Sequence, residues 1–204
     1  MSEFIQPVVE VIPDQVLPDP DVISYYVLEK ERIIYLDFDV SAETMAIHRM
    51  IMRWNIEDRG KPVPERKPIR IFIMSYGGNV DNMWVLIDTI SASQTPVYTV
   101  NCGVAASAAA SIFISGHVRF MMPNAKVVIH EGSAQFAGDA VKVMDASESY
   151  KKELKRMKDF ILDKTNISRA ALYKKRNNDW ELDSEFCFEN GVCDKIVSTL
   201  DEVV

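Results

Sequence analysis

The stretch IRIFIMSYGGNVDNMWVLIDTISAS, residues 69–93, decides the fold class of this chain. Residues 69–75 are mostly apolar β-formers and predict a buried strand. Gly77 and Gly78 then mark a turn, and residues 81–93 carry apolar side chains at helical spacing. A strand that turns directly into a helix is the building unit of α/β proteins.

The same alternation recurs along the chain. Strands are predicted at 32–40, 97–102, 118–122 and 126–130, and helices at 42–54, after 103, from about 139 to 164, and after Ser168. The sequence therefore predicts an α/β fold with parallel strands and flanking helices. Ligands and catalytic groups collect at the carboxyl ends of such strands.

Length and proline content define the domain organisation. The 204 residues suffice for one sizeable core. Residues 1–22 carry four prolines and several acids, which predicts a mobile N-terminal arm. A single domain over residues 23–204 is expected to follow, with a polar, proline-punctuated loop at 55–68.

The overall charge excludes several classes of partner. The net charge of −7 argues against nucleic acid, which needs clustered lysine and arginine. Residues 1–15 lack the basic start and apolar run of a signal peptide. The weakly polar run 103–116 is too short for a bilayer. We expect no membrane partner and a cytoplasmic location.

The three cysteines, Cys102, Cys187 and Cys193, do not have metal-ligand spacing, and no Cys/His cluster accompanies them. Reduced thiols are the expectation. Neither a metal nor an organic cofactor is predicted.

The segment GVAASAAASIFISG, residues 103–116, places Ser107 among alanines at a predicted strand-to-helix turn. Small residues there fit close helix packing, or a nucleophile that a substrate must approach. A serine nucleophile needs a base, and the base needs an orienting group. Among the three histidines, His130 ends the apolar strand KVVI and is the candidate base, whereas His48 and His117 are expected to have ordinary surface roles. Lys126, at the start of that strand, is an alternative base.

Backbone N–H groups that stabilise an oxyanion need open approach. Gly77 and Gly78 supply such a place, although a plain tight turn has the same sequence. The amide of Ala108, at a predicted helix start, is the second candidate donor.

The segments SYGGNV (75–80), GVAASAAA (103–110), VVIHEG (127–132) and NDWELDSEFCFENGVCDKIV (178–197) together resemble the Clp protease proteolytic subunit family (ClpP). The resemblance covers residues 22–198 and implies a crotonase-like α/β fold with a protruding handle helix. It implies a Ser-His-Asp peptidase in which Asp179 orients His130. The residues alone leave Asp179 and Asp183 open.

By the same resemblance, Gly78 and Ala108 match the oxyanion donors, and Gly138 matches a glycine of the substrate-binding strand. Stacked seven-membered homo-oligomeric rings, polypeptide substrates and a separate AAA+ unfoldase are implied. Tyr76, Asn177 and Asn178 depart from the family pattern, and Arg70 stands in a usually aromatic partner pocket.

Three other functions remain open at this point. A phage-type head-maturation or scaffold protease of the same class would work without an unfoldase. A non-catalytic ring subunit would not need the serine, histidine and aspartate. A crotonase-type acyl-CoA enzyme would share the oxyanion hole, but it would need catalytic carboxylates and a basic nucleotide site, neither of which is evident.

Overall fold

A computed structural model describes residues 19–132, 134–174 and 179–204. The seven helices of these ranges are α1 (Pro20–Lys30), α2 (Met45–Glu57), α3 (Val80–Ala92), α4 (Ala108–Ile114), α5 (Ala140–Lys164), α6 (Arg169–Lys174) and α7 (Ser184–Glu189). The strands are β1 (Ile33–Leu36), β2 (Ile69–Ser75), β3 (Val97–Ala106), β4 (Val118–Met121), β5 (Lys126–Ile129), β6 (Trp180–Leu182) and β7 (Lys195–Ile196).

The strands form one sheet in the order β1-β2-β3-β4-β7, and all neighbours along this path are parallel. Strand β5 continues beside the carboxyl-terminal half of β3, with Ala106 in register with Val128. Strand β6 then pairs antiparallel with β5. The predicted α/β class with parallel strands and flanking helices is confirmed.

The helices α2, α3 and α4 cover one face of the sheet and form the main core with it. Ile69, Ile71 and Ile73 alternate along β2 toward this face and are completely buried. The opposite face carries a smaller cluster that includes Phe72 and Val100. A strand buried on both faces reads as a nearly continuous apolar run, as residues 69–75 do.

The amino-terminal part differs from the sequence prediction in several details. The strand predicted at 32–40 spans only Ile33–Leu36, and Val40 instead forms an isolated bridge with Gly78. Residues 1–18 of the predicted arm lie outside the described residues, and α1 begins at Pro20. Asp19 caps this helix through the N–H of Asp21, and proline suits a first helical position.

A buried ion pair fixes the loop after α2 to the start of β1. Arg32, with φ 58°, donates to Asp58 from both terminal nitrogens, at 2.5 and 3.0 Å. Asp58 is fully buried and also accepts from Lys61 and Thr95. These bonds hold the pKa of Asp58 far below its usual range, chiefly through the Arg32 guanidinium.

Helix α5 is a long helix that packs only at one end. Its side chains from Ala140 to Lys152 are largely exposed, and Val141 and Met144 are each 68% exposed. Its carboxyl-terminal half reaches the core through Phe160, which packs edge-on against Trp84, and through the buried Ile161. The helix therefore projects from the domain, as the predicted handle does.

Candidate active site

Ser107 lies at the junction of β3 and α4 in an unusual backbone conformation. Its φ is 54° and its ψ is −122°, a positive-φ conformation that costs free energy for a non-glycine residue. Its N–H donates to the carbonyl of Val128 at 2.9 Å, which fixes the junction to β5. The side chain does not cap the helix, although serine is a favoured capping residue. The hydroxyl is therefore left free at the helix start.

The alanines around Ser107 are packing residues. Ala108, Ala109 and Ala110 are at most 2% exposed and belong to the main core. Close helix packing therefore accounts for these alanines, and Ser107 itself, only partly buried, stands apart from them.

The glycine turn lies against Ser107 on one residue and against Val40 on the other, and neither glycine has a side chain that would prevent this. A Cβ on Gly77 would lie 2.6 Å from the carbonyl oxygen of Ala106, 2.8 Å from the Cβ of Ser107 and 2.9 Å from the nitrogen of Ala108. A Cβ on Gly78 would lie 2.4 Å from the carbonyl oxygen of Val40. The sequence predicted a turn here, and the structure adds that only glycine fits it.

The two glycine amides differ in what they bind. The N–H of Gly77 donates to the hydroxyl of Ser75 at 3.2 Å, and that hydroxyl donates to the carbonyl of Phe38. The N–H of Gly78 and that of Ala108 have no hydrogen-bond acceptor among the described residues. These two amides, on neighbouring segments, are therefore available to a substrate oxygen. Ser75 was missed by sequence reasoning, because only the folded turn shows its role.

His130 follows the last residue of β5, and Asp179 precedes the first residue of β6. Continuing the register of Ile129 with Trp180 sets these two residues opposite each other. The distance from His130 Nδ1 to Asp179 Oδ1 is 3.7 Å, within ion-pair range and too long for a hydrogen bond. The side chains are 35% and 75% exposed. No hydrogen bond joins His130 to Ser107 in this structure.

Lys126 lies at the opposite end of β5 and is engaged by a carboxylate. Its Nζ is 3.0 Å from Oε1 of Glu181, in the geometry of an ion pair. Sequence reasoning did not single out Glu181, because the pairing of β6 with β5 is needed to bring it here. A shallow pocket between these groups is lined by Tyr76, Ala106, Lys126, Val128, His130, Asp179 and Glu181.

A narrow apolar cavity of about 30 Å³ is also lined by His130. The α5 side chains Leu154, Met157 and Ile161 form one wall, and Trp180 lines it as well. Glu131 and Lys158, which form an ion pair with each other, are the charged residues that line this cavity. His130 thus lines both an apolar cavity and a charged pocket.

The remaining predicted site residues occupy simpler surroundings. Gly138, with φ 146°, lies in an exposed irregular segment that leads into α5. Asn177 and Asn178 lie outside the described residues. His48 bonds to Thr89 of α3, and the Nδ1 of His117 accepts the N–H of Val97. Burial lowers the pKa of His117. Neither of these histidines lines the pocket around His130.

Comparison with known proteins identifies the class of molecule. The Clp protease family matches residues 21–200, nearly the whole chain, and the chain belongs to this family. The chain is similar to three curated relatives, each named ATP-dependent Clp protease proteolytic subunit 2.

The relative from Treponema denticola is 32% identical over 143 residues, which is 67% of this chain and 70% of the relative. That from Borreliella burgdorferi is 29% identical over 136 residues, or 66% and 69% of the two chains. That from Treponema pallidum is 27% identical over 133 residues, or 64% and 67%. The predicted resemblance is confirmed, and a peptidase subunit is the class of protein that it defines.

Two kinds of feature are absent from the part of the chain that the structure describes. None of its helices is both long enough and apolar enough to cross a bilayer. No three of its histidine, cysteine, aspartate or glutamate side chains are grouped as a metal site would require.

Proposed function

We propose that this chain is a serine endopeptidase subunit of a self-compartmentalising ring protease that cleaves unfolded polypeptides in the cytoplasm. Ser107 attacks the peptide carbonyl, and His130 takes the hydroxyl proton and later donates it to the leaving amine. Asp179 orients the imidazole and stabilises its protonated form. The amides of Gly78 and Ala108 bind the oxyanion.

The observation that carries this proposal is the junction at Ser107. Its positive φ, its uncapped hydroxyl and its contact with Gly77 hold a free nucleophile beside two unused amides. A backbone strain of this kind is retained where the surrounding structure and the chemistry require it. The long His130–Asp179 distance is consistent with a site that tightens when substrate binds.

The proposal also includes an assembly and a partner. Exposed apolar residues on α5, among them Val141 and Met144, support a homo-oligomer, and the resemblance implies stacked seven-membered rings. A separate AAA+ unfoldase would deliver unfolded chains. Arg70 on β2 is the departure that would weaken docking of a generic unfoldase, because an apolar anchor would have to desolvate the guanidinium.

Hydrolysis assays test the proposed chemistry. The parent protein is expected to cleave small fluorogenic peptides and unfolded casein, and Ser107→Ala is expected to lose at least about 99% of this activity. Ser111→Ala, one turn later in α4, is the matched control and should retain it. Substantial hydrolysis by Ser107→Ala would refute the assignment. Strong stimulation by a generic unfoldase would refute the proposed effect of Arg70.

A further inference from the structure

Several charged or titratable side chains lie on the same face of the sheet as His130. Lys126, Val128 and His130 lie on one face of β5 and its extension, because side chains alternate along a strand. The antiparallel partner β6 sets Glu181 opposite Val128, and Asp179 opposite His130. Two bases and two acids therefore share a single face.

Glu181 has a basic group on each diagonal. Lys126 is two residues before its cross-strand partner Val128, and His130 is two residues after it. Diagonal neighbours on a sheet lie about 7–8 Å apart, within reach of long side chains. The carboxylate of Glu181 pairs with Lys126 at 3.0 Å, and no hydrogen bond or ion pair joins it to His130.

We propose that Lys126 is a positioning residue that holds Glu181 away from His130 and cancels its charge. Asp179 is then the carboxylate that faces the imidazole without a competitor. This inference rests on the proposed function of His130 as the catalytic base. It assigns Lys126 a role that acts on the imidazole through Glu181, rather than that of an alternative base.

The other described groups around the imidazole are consistent with Asp179 being the one unpaired carboxylate that faces it. From α5, Lys158 forms an ion pair with Glu131, the residue after His130, and their side chains are 19% and 28% exposed. Tyr76, which follows the last residue of β2, also lines the pocket. Asp179 is thus left as the carboxylate near His130 that has no lysine or arginine partner among the described residues.

The sign of each substitution follows from electrostatics. In Lys126→Met, the uncompensated Glu181 carboxylate stabilises the imidazolium, so the base is protonated up to a higher pH. In Glu181→Gln, the uncompensated Lys126 cation has the opposite effect. In the double variant Lys126→Met/Glu181→Gln both charges are gone, so the net charge of this pair near His130 is zero, as in the parent.

The pH dependence of kcat/KM tests this reasoning. We expect the acid limb of the Lys126→Met profile to move up by about half a pH unit, the shift that one charge at this range produces in a solvated site. The limb of Glu181→Gln should move down, and that of the double variant should coincide with the parent. Lys126→Arg should behave as the parent. Lys195→Met on β7, which breaks a similar ion pair with Glu202, is the matched control and should not move the limb.

A second measurement is independent of catalysis. NMR titration of the three histidine rings in the Ser107→Ala background should show the His130 titration moving in the same direction as the acid limb in each variant. His48 and His117 serve as internal references. An unmoved His130 titration in Lys126→Met, or a shift that persists in the double variant, would overturn the inference. A parent protein without peptidase activity would refute the proposed function, and the ring titration would still decide the inference.

Discussion

The Cβ of Ser107 would lie 2.8 Å from a Cβ on Gly77, so the candidate nucleophile and the glycine turn are in direct contact. Real Cβ atoms do not approach this closely, and a Cβ on Gly77 would also lie 2.6 Å from the carbonyl oxygen of Ala106 and 2.9 Å from the nitrogen of Ala108. The position of the turn relative to Ser107 therefore depends on the absence of a side chain at residue 77.

Gly77→Ala is accordingly expected to displace the turn and its amides from Ser107. A displacement of about 1 Å at a reacting centre costs roughly 100-fold in kcat/KM. Gly60→Ala is the matched control, because Gly60 also has a positive φ, 89°, but has no atom within 4 Å of the added Cβ. Equal activity losses in both variants would mean that backbone strain, rather than contact with Ser107, explains the effect.

Peptidase activity should fall on acidification, because only a neutral imidazole accepts the hydroxyl proton. His130→Ala should abolish both the activity and this limb of the pH–rate profile. His48→Ala and His117→Ala should keep the limb, since neither ring lies in the pocket. A limb that survives in His130→Ala would contradict the role of His130.

The Arg32–Asp58 pair should make a large contribution to the stability of the domain. Removing one partner of a buried ion pair costs about 3–5 kcal/mol, so Asp58→Asn should lower the free energy of unfolding by this order. Lys61→Met removes a partner of the same carboxylate that is 53% exposed, and should cost less than about 1 kcal/mol. Urea denaturation measures both. Equal losses of unfolding free energy in the two variants would contradict the conclusion that Arg32, rather than Lys61, is the main partner of Asp58.

This pair also predicts how stability depends on pH. The guanidinium lowers the pKa of Asp58 in the folded state, so its contribution is fully present above the unfolded carboxyl pKa of about 4. The contribution is lost as the pH falls through the lower, folded value. The stability gap between the parent and Asp58→Asn should therefore narrow below pH 4. A gap that stays constant between pH 7 and pH 2 would contradict this linkage.

The strongest sequence predictions concerned elements with a long, regular pattern. Strand β2 occupies the predicted residues 69–75, α5 begins after Asp139 as expected, and α6 begins after Ser168. Each combines a periodic apolar pattern with a recognisable cap or turn. Helix α1 was missed, although Asp19 followed by Pro20 is a helix-start signal.

The weakest predictions concerned geometry that arises only when strands far apart in the sequence pair with each other. Strand β6 has three residues, too few for a period, yet it is the element that sets Asp179 opposite His130. For this reason the residues alone could not choose between Asp179 and Asp183. Asp183 instead caps α7 by accepting the N–H of Phe186.

The exposed apolar side chains of α5 predict a test of assembly. Val141→Asp and Met144→Asp each place a charge on a surface expected to be buried between subunits, which costs several kcal/mol per unpaired charge. Mass photometry should report rings for the parent and smaller species for these variants, with unchanged circular dichroism. Val63→Asp, on the loop after α2 and 45% exposed, is the control that should keep the rings. A monomeric parent would contradict the assembly.

Active-site labelling tests whether Ser107 is the nucleophile. A fluorophosphonate reacts with an activated serine hydroxyl, and peptide mapping by mass spectrometry locates the modified residue. We predict one label per chain, on Ser107, that disappears in His130→Ala and persists in Ser111→Ala. A label on another residue, or peptide hydrolysis by a protein whose Ser107 stays unmodified, would contradict it.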